Sequence, residues 1–259
     1  MKRFMISAQE IQTIYKAYWK PGYGSISAQE AMFLQEGIEK HKPQIFLEIG
    51  TASGISTGFI ALFLSNNKNH AELFTIDLEE TFWVDRSQPT GFLAEKICPN
   101  TNTEISYIRN VDSTEVQHKF LDQKIDMAFI DANHQHPWPT LDMISILPFM
   151  NRGALIYHHD LALYKHQKPI LGIGPKYLFD QIPTNLRIVT PQAKENIYYI
   201  ITPDNYLELT KSLIDSLYLP WTIRRKISEM TLDKFRDLAK TYWGDDLQLV
   251  LEQTIKKFN

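Results

Sequence analysis

A doubly wound α/β fold, with a mostly parallel sheet and helices on both faces, is what the pattern of this chain predicts. Three observations carry that prediction. Short apolar runs alternate with helical runs five times between Ile45 and Asp160. A turn of small residues, Gly50 to Gly54, joins the first strand to its helix. Polar and small residues gather just past the strand ends, at 50–56, 77, 131–134 and 158–160. In open α/β sheets, ligands bind outside the carboxyl ends of the strands, so these clusters should meet at one crevice.

Taken in order, Ser7–Trp19 reads as a helix with Ile11, Ile14, Tyr15 and Tyr18 as its apolar positions, broken by Pro21, Gly22 and Gly24. Ser27-Ala-Gln-Glu30 is a capping box that opens a second helix, Ala28–His41, before Pro43 stops it. Ile45–Ile49 is the first strand, and Ser56–Leu64 its helix. Leu73–Ile76, closed by Asp77, is the second strand. The connection Glu79–Pro99 is too long for a bare linker and carries Phe82, Trp83 and Phe92, which suggests a flap with a helix in it. Ile105–Ile108, Ile125–Ile130 and Ala154–Tyr157 are further strands, separated by helices around Val116–Leu121 and Trp138–Leu147. After a helix at Lys176–Gln181, the runs Leu186–Thr190 and Ile197–Thr202 read as an antiparallel hairpin on the sheet edge, making seven strands. From Pro203 the chain is helical, broken at Pro220. This divides it into an N-terminal helical cap (1–24), a central domain (25–203) and a helical extension (204–259).

A chain of 259 residues can bury a full core. The net charge of −3 gives no basic excess, which argues against a nucleic-acid backbone as partner and for a small molecule. The single cysteine, Cys98, rules out an intrachain disulfide and a cysteine-based zinc site. Lys2 and Arg3 are followed by no apolar run of the signal-peptide kind, and the longest apolar stretch, Gly58 to Leu64, is too short to span a bilayer. No membrane association and a cytoplasmic location are therefore expected. Homo-oligomerisation stays open.

The turn Glu48-Ile-Gly-Thr-Ala-Ser-Gly-Ile-Ser56 lies between a strand and a helix. Gly50 allows a sharp bend, Gly54 close packing of strand and helix, and the helix N-terminal amides face a ligand. The spacing is not G-x-G-x-x-G. Glu48 puts an anion where a dinucleotide would bring phosphate, which favours a ligand with an ammonium group. The alternative is a plain strand–turn–helix. Asp77, at the end of the next strand, can accept both hydroxyls of a ribose, or can simply cap a helix. Asn110-Val-Asp-Ser113 follows the third strand and is a weaker turn signal.

Phe46-Leu-Glu-Ile-Gly-Thr-Ala-Ser-Gly-Ile-Ser-Thr57 resembles motif I of catechol-type class I O-methyltransferases, which are Rossmann-like. Phe129-Ile-Asp-Ala-Asn-His134, then Asp142, then Gly153-Ala-Leu-Ile-Tyr-His-His-Asp160 resembles the branch of that family that methylates sugars and other natural products. The resemblance implies S-adenosylmethionine as cofactor. Glu48, Gly50, Thr51, Ala52, Ser53, Gly54 and Ser56 would surround its methionine part, Asp77 its ribose, and Asp112 and Ser113 its adenine, with Asp131 beside them. It also implies a divalent metal on Asp131, His159 and Asp160, and His134 as general base together with Asp131. The catechol type has Asp-Asn where this chain has His159-Asp160. Oxygen-rich ligation favours Mg²⁺, Mn²⁺ or Ca²⁺, and an imidazole tilts the choice toward Mn²⁺ or Fe²⁺.

The expected chemistry is methyl transfer to a hydroxyl of a small molecule, with the metal and the imidazole helping to remove its proton. Three alternatives stand beside it: a nicotinamide-dependent oxidoreductase on a similar sheet, a cofactor-binding homologue without catalysis, and a nitrogen acceptor. The aromatic residues Trp83 and Trp138 either border the acceptor pocket or serve as packing.

Overall fold

Strands β1 (Ile45–Ile49), β2 (Glu72–Asp77), β3 (Glu104–Arg109), β4 (Ile125–Ile130), β5 (Met150–His158), β6 (Arg187–Val189) and β7 (Tyr198–Ile201) form one sheet in the order β3-β2-β1-β4-β5-β7-β6. Only β7 runs against the others, pairing antiparallel with both β5 and β6. The computed structural model describes residues 5–24, 26–66, 70–166, 169–190 and 194–259. Lys2 and Arg3, and positions 167 and 168 of the loop after β5, lie outside them.

Eleven helices follow in chain order among the described residues: α1 (Ala8–Tyr18), α2 (Ala28–His41), α3 (Ile55–Ser65), α4 (Ala94–Ile97), α5 (Val116–Lys119), α6 (Trp138–Ile146), α7 (Pro169–Gly172), α8 (Gly174–Gln181), α9 (Thr210–Leu217), α10 (Glu229–Tyr242) and α11 (Asp245–Phe258). Both α1 and α2 open with complete capping boxes, Ser7 with Glu10 and Ser27 with Glu30.

Side chains alternate along each strand, and both faces of this sheet are covered, so the central strands β1 and β4 are largely apolar on both faces, with Glu48 in β1 and Asp126 in β4 as exceptions. On one face, Phe46, Met127, Phe129 and Tyr157 pack under Ile11, Leu34, Ile38, Phe59 and Phe63 of α1–α3. On the other, Leu47, Phe74, Ala128, Ile130 and Ile156 pack under α6 and the C-terminal helices, with Leu213, Leu217, Phe235, Leu238, Leu247 and Leu251 in the same cluster. The extension thus completes the core over one face of the sheet.

Two sequence expectations are refined. Strand β5 starts at Met150, earlier than expected, and the hairpin strands are shorter. The 79–99 connection does carry a helix, α4, preceded by a single bridge between Thr81 and Pro89. Its aromatics are packing residues in part: Tyr23 meets Phe82 and Phe92 edge-on at 5.2 and 5.9 Å, which ties the α1–α2 turn to this connection. No helix among the described residues is long and apolar enough to cross a membrane.

Gly50 has φ 101°, and a Cβ there would overlap the Asp131 backbone carbonyl. Gly50→Ala is therefore expected to destabilise the fold by about 2 kcal/mol or more, from backbone strain and overpacking combined. Urea unfolding measures it. A variant as stable as the parent would contradict the close approach of β1 and β4.

Candidate active site

The parallel strands deliver their ends to one place. Ile49 pairs with Ile130, and Ile130 with His158. The ladder then continues into the loops: Gly50 N–H donates to Ile76 O, Asp131 N–H to Ile49 O and His159 N–H to Ile130 O. A cavity of about 530 Å³ opens above these ends, a size suited to a small ligand. It is lined by Gly50, Thr51, Ala52, Ser53 and Ser56 from the turn, Asp77, Asp112, Ser113 and Asp142 on one side, and Asp131, His134, His159 and Asp160 on the other.

The turn is pinned from above. Asp77 Oδ2 accepts the N–H groups of Thr51 and Ala52 at 3.0 and 2.9 Å, and Oδ1 that of Glu79 at 2.8 Å. Asp77 thus holds the turn and still faces the cavity. Gly54 has a different neighbour from the one expected. A Cβ there would sit 2.7 Å from Gly91 Cα, so it admits the far end of the 79–99 connection, whose Gly91 and Leu93 N–H groups donate to Ala52 and Ser53 carbonyls.

Glu48 corrects the sequence reading. It is fully buried and does not line the cavity. Ser56, Thr57 and Thr75 hydroxyls donate to its carboxylate at 2.6, 2.5 and 2.7 Å. Its acceptor capacity is taken up by the α3 start and β2, not aimed at an ammonium group. Burial pushes its pKa up to about 7 against those hydrogen bonds. Asp142 behaves likewise: burial raises it to about 7, Ser113 opposes and Asp112 adds to the rise. Asp112 caps the short turn at Ser113–Glu115 through Thr114 N–H, and Lys234 of α10 lies 3.4 Å from its other oxygen.

Beyond β4 and β5 the charged groups crowd. Asp160 adopts φ 60°, which Asp tolerates better than most residues, and this turns the chain so that both His159 and Asp160 face Asp131. His134 Nε2 lies 3.2 Å from Asp131 Oδ1 and 3.0 Å from Asp160 Oδ2. His159 is wedged between acids: Nδ1 is 3.1 Å from Asp131 Oδ1, and Nε2 is 3.2 Å from Glu30 Oε1. Both its nitrogens face carboxylates. Burial opposes charging His159, but Asp131, Asp160 and Glu30 outweigh it and raise its pKa well above the ordinary value. Burial likewise pushes Glu30 up, yet the His159 bond and charge, with Ser27 and Asn196, hold it at about 2. Asp131 is lowered against burial by His159 and His134. His134 is raised: burial opposes, while Asp131 and Asp160 prevail.

The acidic group that could hold a cation is therefore Asp131, His134 and Asp160, whose ligand atoms lie within 4.8 Å of one another. His159, expected as a ligand, is not in that group: its Nδ1 faces Asp131 and its Nε2 faces Glu30. Sequence reasoning missed Glu30 and Asn196. Glu30 was legible as a helix cap through one oxygen. Its other oxygen receives Asn196 Nδ2 at 2.8 Å and faces His159, which only the tertiary fold reveals.

Residues 47–161 match the family model described as "Methyltransferase domain". No curated protein matches the chain in sequence. Among solved structures, it is similar to the O-methyltransferase TomG from Streptomyces achromogenes, involved in tomaymycin synthesis and determined with SAM: TM-score 0.54, 18% identity, over 75% of this chain and 89% of that one. It is similar to an O-methyltransferase from Bacillus cereus in complex with SAH: TM-score 0.52, 19% identity, over 75% and 90%. A third is the SAH-bound methyltransferase PaMTH1 from Podospora anserina, at 0.52 and 15%, over 76% and 88%. At such identities the structural likeness speaks for the fold.

Glu48 yields a pH prediction. Its folded pKa of about 7 lies above the ordinary 4.5, so the folded state holds this proton more tightly than the unfolded state. Stability from this group is full below about pH 4.5 and is lost as pH rises through about 7, each pKa unit being worth about 1.4 kcal/mol. Asp142 adds a loss of the same sign. Glu48→Gln should flatten the decline in denaturation midpoint between about pH 5 and pH 8. An unchanged slope would show that Glu48 does not titrate there.

Proposed function

We propose that this chain, whose residues 47–161 match the methyltransferase-domain model, is a class I S-adenosylmethionine-dependent methyltransferase that transfers the methyl group to a hydroxyl of a small polar molecule at the Asp131–His134–Asp160 cluster. The observation that carries the reading is the placement of that cluster. It closes the same cavity whose other end is the Gly50–Ser56 turn and Asp77.

The donor sits along the turn. The backbone of Gly50–Ser53 and the α3 amides meet its amino-acid part, Asp77 its ribose, and Asp112, Ser113 and Asp142 its adenine. Ser53 supports this placement: its hydroxyl is buried and has no hydrogen-bond partner among the described residues, so a ligand polar atom would satisfy it. Trp138 and Val111 supply an apolar wall beside Asp112.

The charges fit a divalent cation. Glu30, Asp131 and Asp160 face one committed imidazolium, which leaves negative charge in excess. Two carboxylates and one imidazole suit Mg²⁺, Mn²⁺ or Fe²⁺, the nitrogen favouring the transition metals. When bound, such an ion supplies Lewis acidity that lowers the pKa of the acceptor hydroxyl. His159 fixes Asp131 from behind, and Glu30 fixes His159. The acceptor oxygen forms its bond to the methyl carbon as the S–CH₃ bond breaks, and the electron pair stays on sulfur. The hydroxyl proton leaves to the cluster and from there to solvent. A second reading keeps His134 as a general base without metal. The raised pKa of His134 favours it, since Asp131 and Asp160 stabilise the protonated ring.

The acceptor side is a second chamber of about 430 Å³ that shares Asp160 with the first. Ser27, Gln29, His166, Lys194 and Asn196 line it. Hydroxyl, amide and amine groups of this kind suit a hydroxyl-rich acceptor such as a sugar.

Asp77→Ala should weaken S-adenosylhomocysteine binding by about a hundredfold or more, since two charge-assisted hydrogen bonds are each worth about 1.5–3 kcal/mol. Calorimetry reads this directly, and an unchanged Kd would defeat the ribose assignment. Exhaustive EDTA treatment should abolish turnover of a hydroxyl acceptor, and single-ion add-back should restore it. Full activity with no metal found by elemental analysis would leave His134 as a metal-free base.

A further inference from the structure

The loop that carries His134 is held by a part of the chain far from it in sequence. Between β4 and α6, residues 134–136 meet the irregular segment joining α9 to α10. Thr222 N–H donates to His136 O at 2.8 Å, and His136 N–H donates to Thr222 Oγ1 at 2.9 Å. Gln135 Nε2 donates to Thr222 O at 3.1 Å, and Arg224 N–H reaches Gln135 Oε1 at 3.4 Å. Every polar group of Thr222 thus addresses the 135–136 backbone or amide. The loop is also fixed from its other side, where Gly174 N–H donates to His134 O at 2.9 Å. A Cβ on Gly174 would crowd that carbonyl at 2.6 Å.

Thr222 is itself anchored. It is 9% exposed. Its neighbour Trp221 donates through Nε1 to Leu217 O and stacks on Phe258, at the end of the last helix. The Thr140 and Ser216 hydroxyls, 2.7 Å apart, join α6 to α9 just below. These contacts brace the loop from the C-terminal helices, and none of them lies on the donor side of the cavity.

We infer that Thr222 is a positioning residue for the cation site: the C-terminal extension acts on the chemistry by fixing residues 135–136 and, through them, the distance of His134 from Asp131 and Asp160. The inference rests on the reading of Asp131, His134 and Asp160 as a cation site. Asp131 is placed by the β4 ladder and Asp160 by the turn directly after β5, whereas His134 is placed by a loop. Residues that hold a metal ligand by hydrogen bonds from outside typically change metal affinity by about 10–100-fold when removed.

The test uses the full chain and Mn²⁺ alone as probe, with free Mn²⁺ followed by electron paramagnetic resonance, and S-adenosylhomocysteine binding and melting temperature as controls. Thr222→Val removes the hydroxyl and keeps the volume. We expect Mn²⁺ affinity to fall by about tenfold while the S-adenosylhomocysteine Kd stays within about twofold, and Thr222→Ser to restore Mn²⁺ binding. Thr222→Val with parental Mn²⁺ affinity, or with both ligands weakened together in step with a lower melting temperature, would overturn the inference. Should Thr222→Val not fold, Gln135→Met removes the side-chain bond to Thr222 O and carries the same expectation at about threefold. A parent that binds no Mn²⁺ sinks the cation-site reading itself, and the inference with it. A His134→Ala protein that has lost Mn²⁺, beside an unaffected Thr222→Val, sinks the inference alone.

Discussion

Ile49, Ile130 and His158 lie abreast across β1, β4 and β5, and hydrogen bonding continues for one residue past each strand. Because the strands are parallel, the residues that leave the sheet there leave on the same edge. Asp131 leaves β4 there and Asp160 follows one residue after the β5 ladder, so their carboxylates come within 4.8 Å of one another and of His134. Two carboxylates so placed repel each other, and burial makes the repulsion dearer. The remaining charges answer it: His159 lies against Asp131 with Glu30 behind it, and His134 lies between Asp131 and Asp160. Loss of one partner from such a buried set leaves an uncompensated charge, a loss of about 3–5 kcal/mol. The sheet register thus dictates the electrostatics, and the electrostatics dictate which side chains the neighbouring elements must bring.

The fold was legible because its signals are local. Apolar runs, the Ser27–Glu30 capping box, the small-residue turn and the break at Pro220 act within a few residues, and the observed elements fall where those signals lie. The strand-end positions were legible too, since Asp77, Asp131 and Asp160 each close or follow a strand. The roles of particular atoms were not. Adjacent residues such as His158 and His159 look alike in the sequence. Yet His158 stacks on Tyr198, with burial lowering its pKa to about 3, while the carboxylates around His159 raise its pKa well above the ordinary value. The same limit applies to Glu48, whose hydroxyl partners sit on α3 and β2. One-dimensional spacing says which residues can reach a crevice. It does not say which neighbour consumes their hydrogen bonds first.

The helical extension is one wall of the core. Its leucines share a cluster with β1, β4 and β5, and Lys234 reaches Asp112, which lines the cavity. A single block of helices and its connection therefore touches Asp112 in the cavity wall and Gln135–His136, the residues that follow His134. Variation in those helices between related chains would alter the site without altering any strand.

Glu30 has a consequence for how the molecule is made. Synthesis delivers α2 early, but the groups that compensate its carboxylate, His159 and Asn196, lie up to 166 positions downstream. Thr222 reaches back 86 positions to the loop it holds. Contacts of such long range close late in folding. While the ribosome is still extending the chain, α2 can coil with Glu30 as its cap, but burying the acid's other oxygen awaits His159 and Asn196. The crevice is thus completed only when nearly the whole polypeptide has emerged, and a truncated product would be left with an exposed apolar face rather than with a weakened enzyme.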